Sequence, residues 1–178
     1  MAFTLSRATS GNMLFSNLES EWGGQIRGYA SEFDEEYDSP HMDHARKIVA
    51  EQPPDPRYGI YVLADEDAPV GQRYVGMTHV NHAWPGTSHA TLRMLWIVLA
   101  PRLDFEDTSA ETLSQIVAAF LYKGIELSEQ EMISGAMKMH LGNMVDRQFS
   151  QGLVLGLRQR SPLEVAVRGN WLHLEKLR

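Results

Sequence analysis

The sequence predicts a single α/β domain over residues 1–178, with a mixed central sheet flanked by helices. Three observations support this prediction. A chain of 178 residues with 43% hydrophobic residues can bury one core. Strand-like and helix-like segments alternate along its second half, and the segment before Pro101 is continuously apolar. Strands joined through helices pair in parallel by right-handed crossovers, so we expect parallel neighbours in the sheet.

The first half of the chain predicts one helix and one hairpin. The first 24 residues mix apolar and small polar types and end at a Gly-Gly pair, which predicts an interruption before the acidic stretch 31–38. Residues 41–52 contain good helix formers and stop at the breaker PPDP. Two segments rich in β-branched and aromatic residues, 58–64 and 73–80, flank turn-forming residues and predict paired strands.

The second half begins with residues 89–100, whose continuously apolar end predicts a strand buried on both faces. A proline ends this strand. Residues 110–125 form the clearest amphipathic helix of the chain, and three residues compete as its N-cap. They are Asp107, Thr108 and Ser109.

The remaining segments predict a strand, a helix and a strand. Residues 132–141 fit either a strand or a methionine-rich helix, and we interpret them as a strand. Residues 142–160 predict a helix in which two glycines permit close packing and do not form a phosphate-binding loop. Residues 163–174 alternate well enough for a final strand, with a break at a Gly-Asn pair.

Composition excludes several classes of function. The chain has no cysteine, which excludes disulfides, thiolate metal sites and a cysteine nucleophile. A formal net charge of -7 argues against a general affinity for phosphate backbones, so we expect no nucleic-acid partner. The sequence has no run of eighteen apolar residues and no signal-peptide pattern. We therefore expect no membrane span and a cytoplasmic location.

The order of elements over roughly residues 58–174 resembles the GNAT (N-acyltransferase) superfamily, in which a hairpin leads to a central strand, a helix, a splayed strand and a second helix. Within it, SEFDEEYDSP followed by YGIYVLAD and RYVGMTH is similar to the acyl-homoserine-lactone synthases. Those enzymes carry an acidic cluster of the type ExDxxD before the hairpin. Glu32, Asp34 and Asp38 stand closest to that cluster, with one additional residue between the two aspartates.

This chain departs from the superfamily pattern in the residues that would bind the acyl donor. GNAT acetyltransferases usually hold the pyrophosphate of coenzyme A on a loop of the form Arg/Gln-x-x-Gly-x-Gly/Ala. Residues 101–110 have no glycine, and their carboxylates, Asp104, Glu106 and Asp107, would repel a phosphate. The homoserine-lactone synthases also lack that loop, because their donor is commonly an acyl carrier protein. They usually show an arginine on the second hairpin strand, where this chain has MTH, and an ExSRF segment that is absent here.

The resemblance implies an N-acyltransferase that moves an acyl group from acyl-coenzyme A or an acyl carrier protein to a small amine or amino-acid-derived substrate. No tightly bound cofactor and no metal are implied. The main chain of the central strand would receive the pantetheine arm of the donor. The residues concerned are Trp96, Ile97, Val98 and Leu99.

The acceptor would need a base, because an α-amino group with a pKa near ~8 is mostly protonated at neutral pH. Carboxylates of the acidic stretch are the candidates for catalysis and amine recognition: Glu32, Asp34, Glu35 and Asp38. Two arginines are candidates for binding a substrate carboxylate, Arg27 and Arg93. We further predict that residues 95–100 diverge from residues 132–140, leaving a wedge-shaped cleft that Asp34 and Asp38 face.

Other interpretations of the same residues stay open. The chain could be a noncatalytic GNAT-like domain that binds a ligand or a protein after loss of the pyrophosphate loop, or a structural domain with a similar sheet. An acidic run is most often a solvated surface. The histidine pairs of HMDH and HVNH lack further metal ligands in the sequence. No serine lies in a GxSxG context, which argues against a hydrolase.

Overall fold

The computed structural model describes residues 2–29, 39–142 and 163–176. The strands are β1 (Phe3–Ala8), β2 (Tyr58–Asp65), β3 (Tyr74–Ala83), β4 (Thr91–Leu99), β5 (Ala136–His140), β6 (Leu163–Arg168) and β7 (Trp171–Lys176). The helices are α1 (Leu14–Tyr29), α2 (Ser39–Val49), α3 (Pro101–Phe105) and α4 (Ala110–Gln130). Each helix in these ranges is too short or too polar to cross a bilayer.

The strands form one mixed sheet, flanked by helices, in the order β1-β2-β3-β4-β5-β7-β6. Strand β1 pairs antiparallel with β2, and β7 pairs antiparallel with both β5 and β6. Strands β4 and β5 are parallel neighbours, and the chain between them contains α4, because a parallel pair needs a long crossover connection. The predicted fold class is therefore confirmed.

The chain divides into two compact units, Met1–His79 with Ile97–Ile116 and Val80–Trp96 with Val117–Arg178. Each unit has fully buried apolar side chains of its own. The first unit includes Leu18, Trp22, Ile60, Leu63 and Met77. The second unit includes Leu92, Met94, Phe120, Leu121 and Leu172.

Helix α1 corrects the prediction for the first residues of the chain. Its buried side chains, Phe15, Leu18 and Trp22, follow one another at intervals of three and four residues, which places them on one face. Gly23 and Gly24 lie inside the helix and do not interrupt it. A glycine costs a helix about 1 kcal/mol relative to alanine, which the burial of three large apolar side chains outweighs.

The final predicted strand is two strands. Residues 163–174 fall in an antiparallel hairpin in which Arg168 of β6 lies opposite Trp171 of β7. Gly169 occupies the turn with a φ of 62°, a backbone conformation that suits glycine because it has no Cβ. The break expected at the Gly-Asn pair is thus a full reversal of the chain, and the prediction of one strand is wrong.

Strand β4 also differs from its prediction. Leu92, Met94 and Val98 are buried, whereas Arg93 and Leu95 are half-buried. The face that carries Arg93 and Leu95 is thus only partly covered, whereas burial on both faces was predicted. The predicted strand at 132–141 is confirmed as β5, which is shorter, while all but the first residue of the predicted helix at 142–160 lies outside the described residues.

Helix α4 extends five residues beyond its predicted end at residue 125 and carries Gly124 in its interior. A Cβ at Gly124 would lie 2.4 Å from Cε of Met137 and 2.7 Å from Cε of Met94. The glycine therefore permits a close approach between α4 and the methionines of β4 and β5.

Helix α4 begins at a serine cap. The Thr112 amide donates a hydrogen bond of 3.1 Å to Oγ of Ser109, which identifies Ser109 among the three competing caps. We expect Ser109→Ala to lower the free energy of unfolding by about 1 kcal/mol in urea denaturation. Ser114→Ala is the matched control, because Ser114 Oγ donates to the Ala110 carbonyl inside the helix and a change within about 0.5 kcal/mol is expected. Equal effects of both substitutions would contradict the cap.

Candidate functional site

The candidate donor segment lies in the C-terminal half of β4. The parallel pairing of β4 with β5 runs from Thr91 opposite Ala136 to Met94 opposite Met139. Strand β4 then continues to Leu99, whereas β5 ends at His140. Of the four residues proposed for the pantetheine arm, Val98 is buried and the other three are half-buried. The strand that was predicted for residues 95–100 is confirmed, and the cleft beside it stays a prediction.

The segment after β4 forms α3 and the cap of α4. Its amides are used internally: Glu106 N donates to the Arg102 carbonyl at 3.1 Å, and Thr108 N donates to the Glu106 carbonyl at 2.7 Å. The Arg102 amide donates to Oε1 of Gln25 at 3.2 Å. A pyrophosphate loop instead directs its amides at the anion. The segment has neither the glycines nor, at these positions, the available amides of such a loop.

The predicted arginines lie on different elements. Arg27 is exposed in the last turn of α1. Arg93 is half-buried on β4, and its guanidinium carbon lies 4.6 Å from the centre of the Trp84 ring, which is a cation–π arrangement. The four predicted carboxylates fall outside the described residues. They are Glu32, Asp34, Glu35 and Asp38.

A pair of histidines meets within the first unit. Nε2 of His44, on α2, lies 3.2 Å from Nδ1 of His79, on β3, so one ring donates a hydrogen bond to the other. The ring of Tyr58, on β2, meets that of His79 edge-on at 6.2 Å between centroids. The Tyr58 hydroxyl donates to the carboxylate of Glu51 at 2.9 Å. The fold thus joins one histidine from HMDH with one from HVNH, and this contact was not predicted.

Burial shifts the pKa of His79, and a hydrogen bond shifts the pKa of Tyr58. Burial, and secondarily the charge of His44, lowers the pKa of His79 from 6.5 to about 4. The hydrogen bond to Glu51 raises the pKa of Tyr58 above its usual 10.0. His79 is therefore neutral at pH 7 and a weak base there. It stands in the MTH segment of β3, which therefore presents no cation at neutral pH.

Within the described ranges, no three histidine, aspartate or glutamate side chains come together as a metal site requires. A signal for the histidine pair did exist in the sequence, since both motifs were visible. Their partnership could not be predicted, because α2 and β3 are separated by a strand in the chain.

Comparison with known structures supports the fold. A seven-stranded mixed sheet with flanking helices is consistent with the GNAT fold. No family model matches the sequence, and no curated protein matches it. Among solved structures, the chain is similar to AtaT complexed with acetyl-methionyl-tRNAfMet, with a TM-score of 0.51 and 11% identity over 98% of this chain and 95% of that one.

Two further solved structures cover nearly the whole chain. One is the KacTA–DNA complex, with a TM-score of 0.50 and 9% identity over 97% of this chain and 91% of that one. The other is an acetyltransferase from Thermus thermophilus, with a TM-score of 0.45 and 15% identity over 98% and 96%. At these identities the likeness concerns the fold alone. The similarity to homoserine-lactone synthases stays a prediction.

Proposed function

We propose that this chain is a GNAT-type N-acyltransferase that moves an acyl group from a coenzyme A or carrier-protein thioester to a small amine. The observation that best supports the proposal is the early end of the β4–β5 ladder at Met94 and Met139, with β4 continuing to Leu99. In the superfamily that the sequence resembles, the pantetheine arm extends along the central strand. Residues 96–99 follow the end of the ladder on β4 and are the residues that we propose for this role.

The segment after β4 indicates how the donor would be held. Asp104 and Asp107 are exposed carboxylates, and several amides of this segment are used internally. Phosphates of coenzyme A would therefore gain little from it. Binding of the donor would then depend on its acyl group and its pantetheine arm, which acyl-coenzyme A and an acylated carrier protein share.

The acceptor would be deprotonated by a carboxylate. The amine nitrogen attacks the thioester carbonyl, an amide bond forms, the carbon–sulfur bond breaks, and the proton lost by the amine is relayed to the leaving thiolate. From the sequence, Asp34 and Asp38 are the first candidates for this relay, with Glu32 and Glu35 beside them. Arg93 is a candidate for a carboxylate of the acceptor, and Arg27 is the second.

A thiol-release assay tests the proposal directly. Because the chain has no cysteine, a chromogenic disulfide reagent reports only the thiol that leaves the donor. We expect amine-dependent release, with kcat/KM for acyl-pantetheine within about tenfold of that for acyl-coenzyme A, since a tenfold change corresponds to about 1.4 kcal/mol of binding. No release with any pair of donor and amine would reject catalysis and favour the noncatalytic GNAT-like domain.

Substitution tests the proposed relay. We expect Asp34→Asn and Asp38→Asn to lower kcat by about 10²- to 10⁴-fold, the usual contribution of general acid–base catalysis. Asp67→Asn is the control, because Asp67 is exposed in the turn after β2. Turnover that is unchanged in both variants would remove these aspartates from the mechanism while leaving the transfer itself intact.

The acceptor panel should contain an aminoacyl-tRNA beside free amino acids and simple amines. A structural neighbour of this chain is described with acetyl-methionyl-tRNAfMet. The net charge of -7 favours the small amines, because a negative protein repels a phosphate backbone. A preference for the tRNA would overturn the expectation of no nucleic-acid partner.

A further inference from the structure

A cavity of about 840 Å³ opens in the second unit, at the N-terminal ends of β4 and β5. Its wall is built from the segment between β3 and β4, including Trp84 and Ala90, and from residues of β5 and β7. Ala136 lies opposite Glu175 across the β5–β7 pair, and Lys138 is two residues further along β5, so all three side chains share one face of the sheet. Cavities of roughly 300–1,000 Å³ are the usual size for small-molecule sites.

Among the described residues that line this wall, the charged side chains are one cation and one anion, Lys138 and Glu175. Within the part of the chain that the structure describes, no ion pair or hydrogen bond joins either side chain to another group. Opposite charges at neighbouring positions of a sheet usually meet each other. Here each is available to a group that enters the cavity.

Two other basic side chains neighbour Lys138 in the sheet. Lys138 lies opposite Arg93 of β4 on one side and His173 of β7 on the other. The Arg93 guanidinium is stacked on Trp84. Burial lowers the pKa of His173, as do the charges of Lys138 and Arg168, while Glu175 acts in the opposite direction. His173 is thus neutral at pH 7, and Lys138 is the cation that the described part of the chain contributes to the cavity wall.

Trp84 supplies an aromatic surface at the same wall. Its side chain is 57% exposed, and its backbone has a φ of 51°, in the left-handed region. A large aromatic residue rarely adopts that conformation, and such outliers concentrate at functional sites. The Arg93 guanidinium against its ring holds the indole in place beside the cavity.

We propose that this cavity binds a small zwitterion of the α-amino-acid class, with its carboxylate at Lys138, its ammonium at Glu175 and an aromatic or apolar side chain against Trp84. A ligand with both charges satisfies both wall groups, whereas a plain anion or a plain amine would leave one of them buried beside it without a partner. The inference goes beyond the proposed acyl transfer, because the binding requires no donor.

Isothermal titration calorimetry of the whole chain tests this site with three probes of one shape. L-Phenylalanine carries both charges, phenethylamine lacks the carboxylate, and 3-phenylpropanoate lacks the amine. We expect the amino acid to bind at least about tenfold more tightly than either truncated probe. Equal affinities for the three probes, or no heat with any of them, would overturn the proposal. Failure here leaves the thiol-release assay unaffected, so the two proposals can be rejected separately.

Two substitutions test which charged side chain binds the carboxylate of the ligand and which binds its ammonium group. Lys138→Met should abolish the preference of the site for L-phenylalanine over phenethylamine, and Glu175→Gln should abolish its preference over 3-phenylpropanoate. Lys47→Met, on the exposed side of α2, is the control for the change of net charge and should bind as the unmodified chain does. Far-ultraviolet circular dichroism confirms that each variant is folded before titration. Folded variants that retain the full preference would contradict the assignment.

Discussion

Replacing Trp22 with alanine is expected to lower the free energy of unfolding by about 3–5 kcal/mol, the usual cost of removing a buried aromatic side chain. Trp22 is 1% exposed on α1, and its Nε1 donates a hydrogen bond of 2.9 Å to the Tyr74 carbonyl at the start of β3. The substitution therefore leaves a cavity and an acceptor without its donor. Urea denaturation, with the slope of the transition compared between variants, measures the effect.

Two further variants separate the parts of that loss. Trp22→Phe keeps much of the apolar contact but removes the donor, so a loss of about 1–3 kcal/mol is expected from the orphaned carbonyl. Tyr122→Ala removes an aromatic ring that is 53% exposed on α4 and should change stability by less than about 1 kcal/mol. A Trp22→Ala variant as stable as Tyr122→Ala would show that α1 is not held in place by this side chain.

Local sequence patterns predicted the middle of the fold well. Strands β2 and β3 have concentrated β-branched and aromatic residues with turn-forming residues between them. Helix α1 was not predicted, because the pair Gly23 and Gly24 indicates an interruption. The helical spacing of Phe15, Leu18 and Trp22 is the stronger signal. Helix propensity does not measure the burial of that apolar face, and it is this burial that stabilises α1.

The candidate sites were harder to predict, because they combine residues that are distant in the chain. The antiparallel register of β5 and β7 brings Glu175 beside Lys138, and no spacing in the sequence encodes that register. His44 and His79 were each visible in a motif, but their contact depends on how α2 packs. The strand that carries the proposed donor segment could be predicted, because a single apolar run in the sequence defines it.

Acidification should destabilise the chain through His79, which is 9% exposed beside His44. Its pKa falls from 6.5 to about 4 on folding, so between these values the unfolded chain binds a proton that the folded chain does not. The contribution to stability is complete above pH 6.5, decreases as the pH falls between 6.5 and about 4, and is absent below about 4. At about 1.4 kcal/mol for each pH unit between the two pKa values, the loss approaches about 3 kcal/mol.

Carboxylates also titrate in this range, so the measurement is a difference between variants. His79→Gln removes the titrating group but keeps a polar side chain, and its free energy of unfolding should fall less than that of the unmodified chain between pH 7 and pH 4.5. His89→Gln, at an exposed position, should follow the unmodified chain. The titratable groups around His79 in the described part of the chain include His44, Tyr58 and the Glu51 carboxylate that binds Tyr58. Parallel curves for all three proteins would mean that burial does not hold His79 neutral, and the histidine pair would then be a charged surface feature.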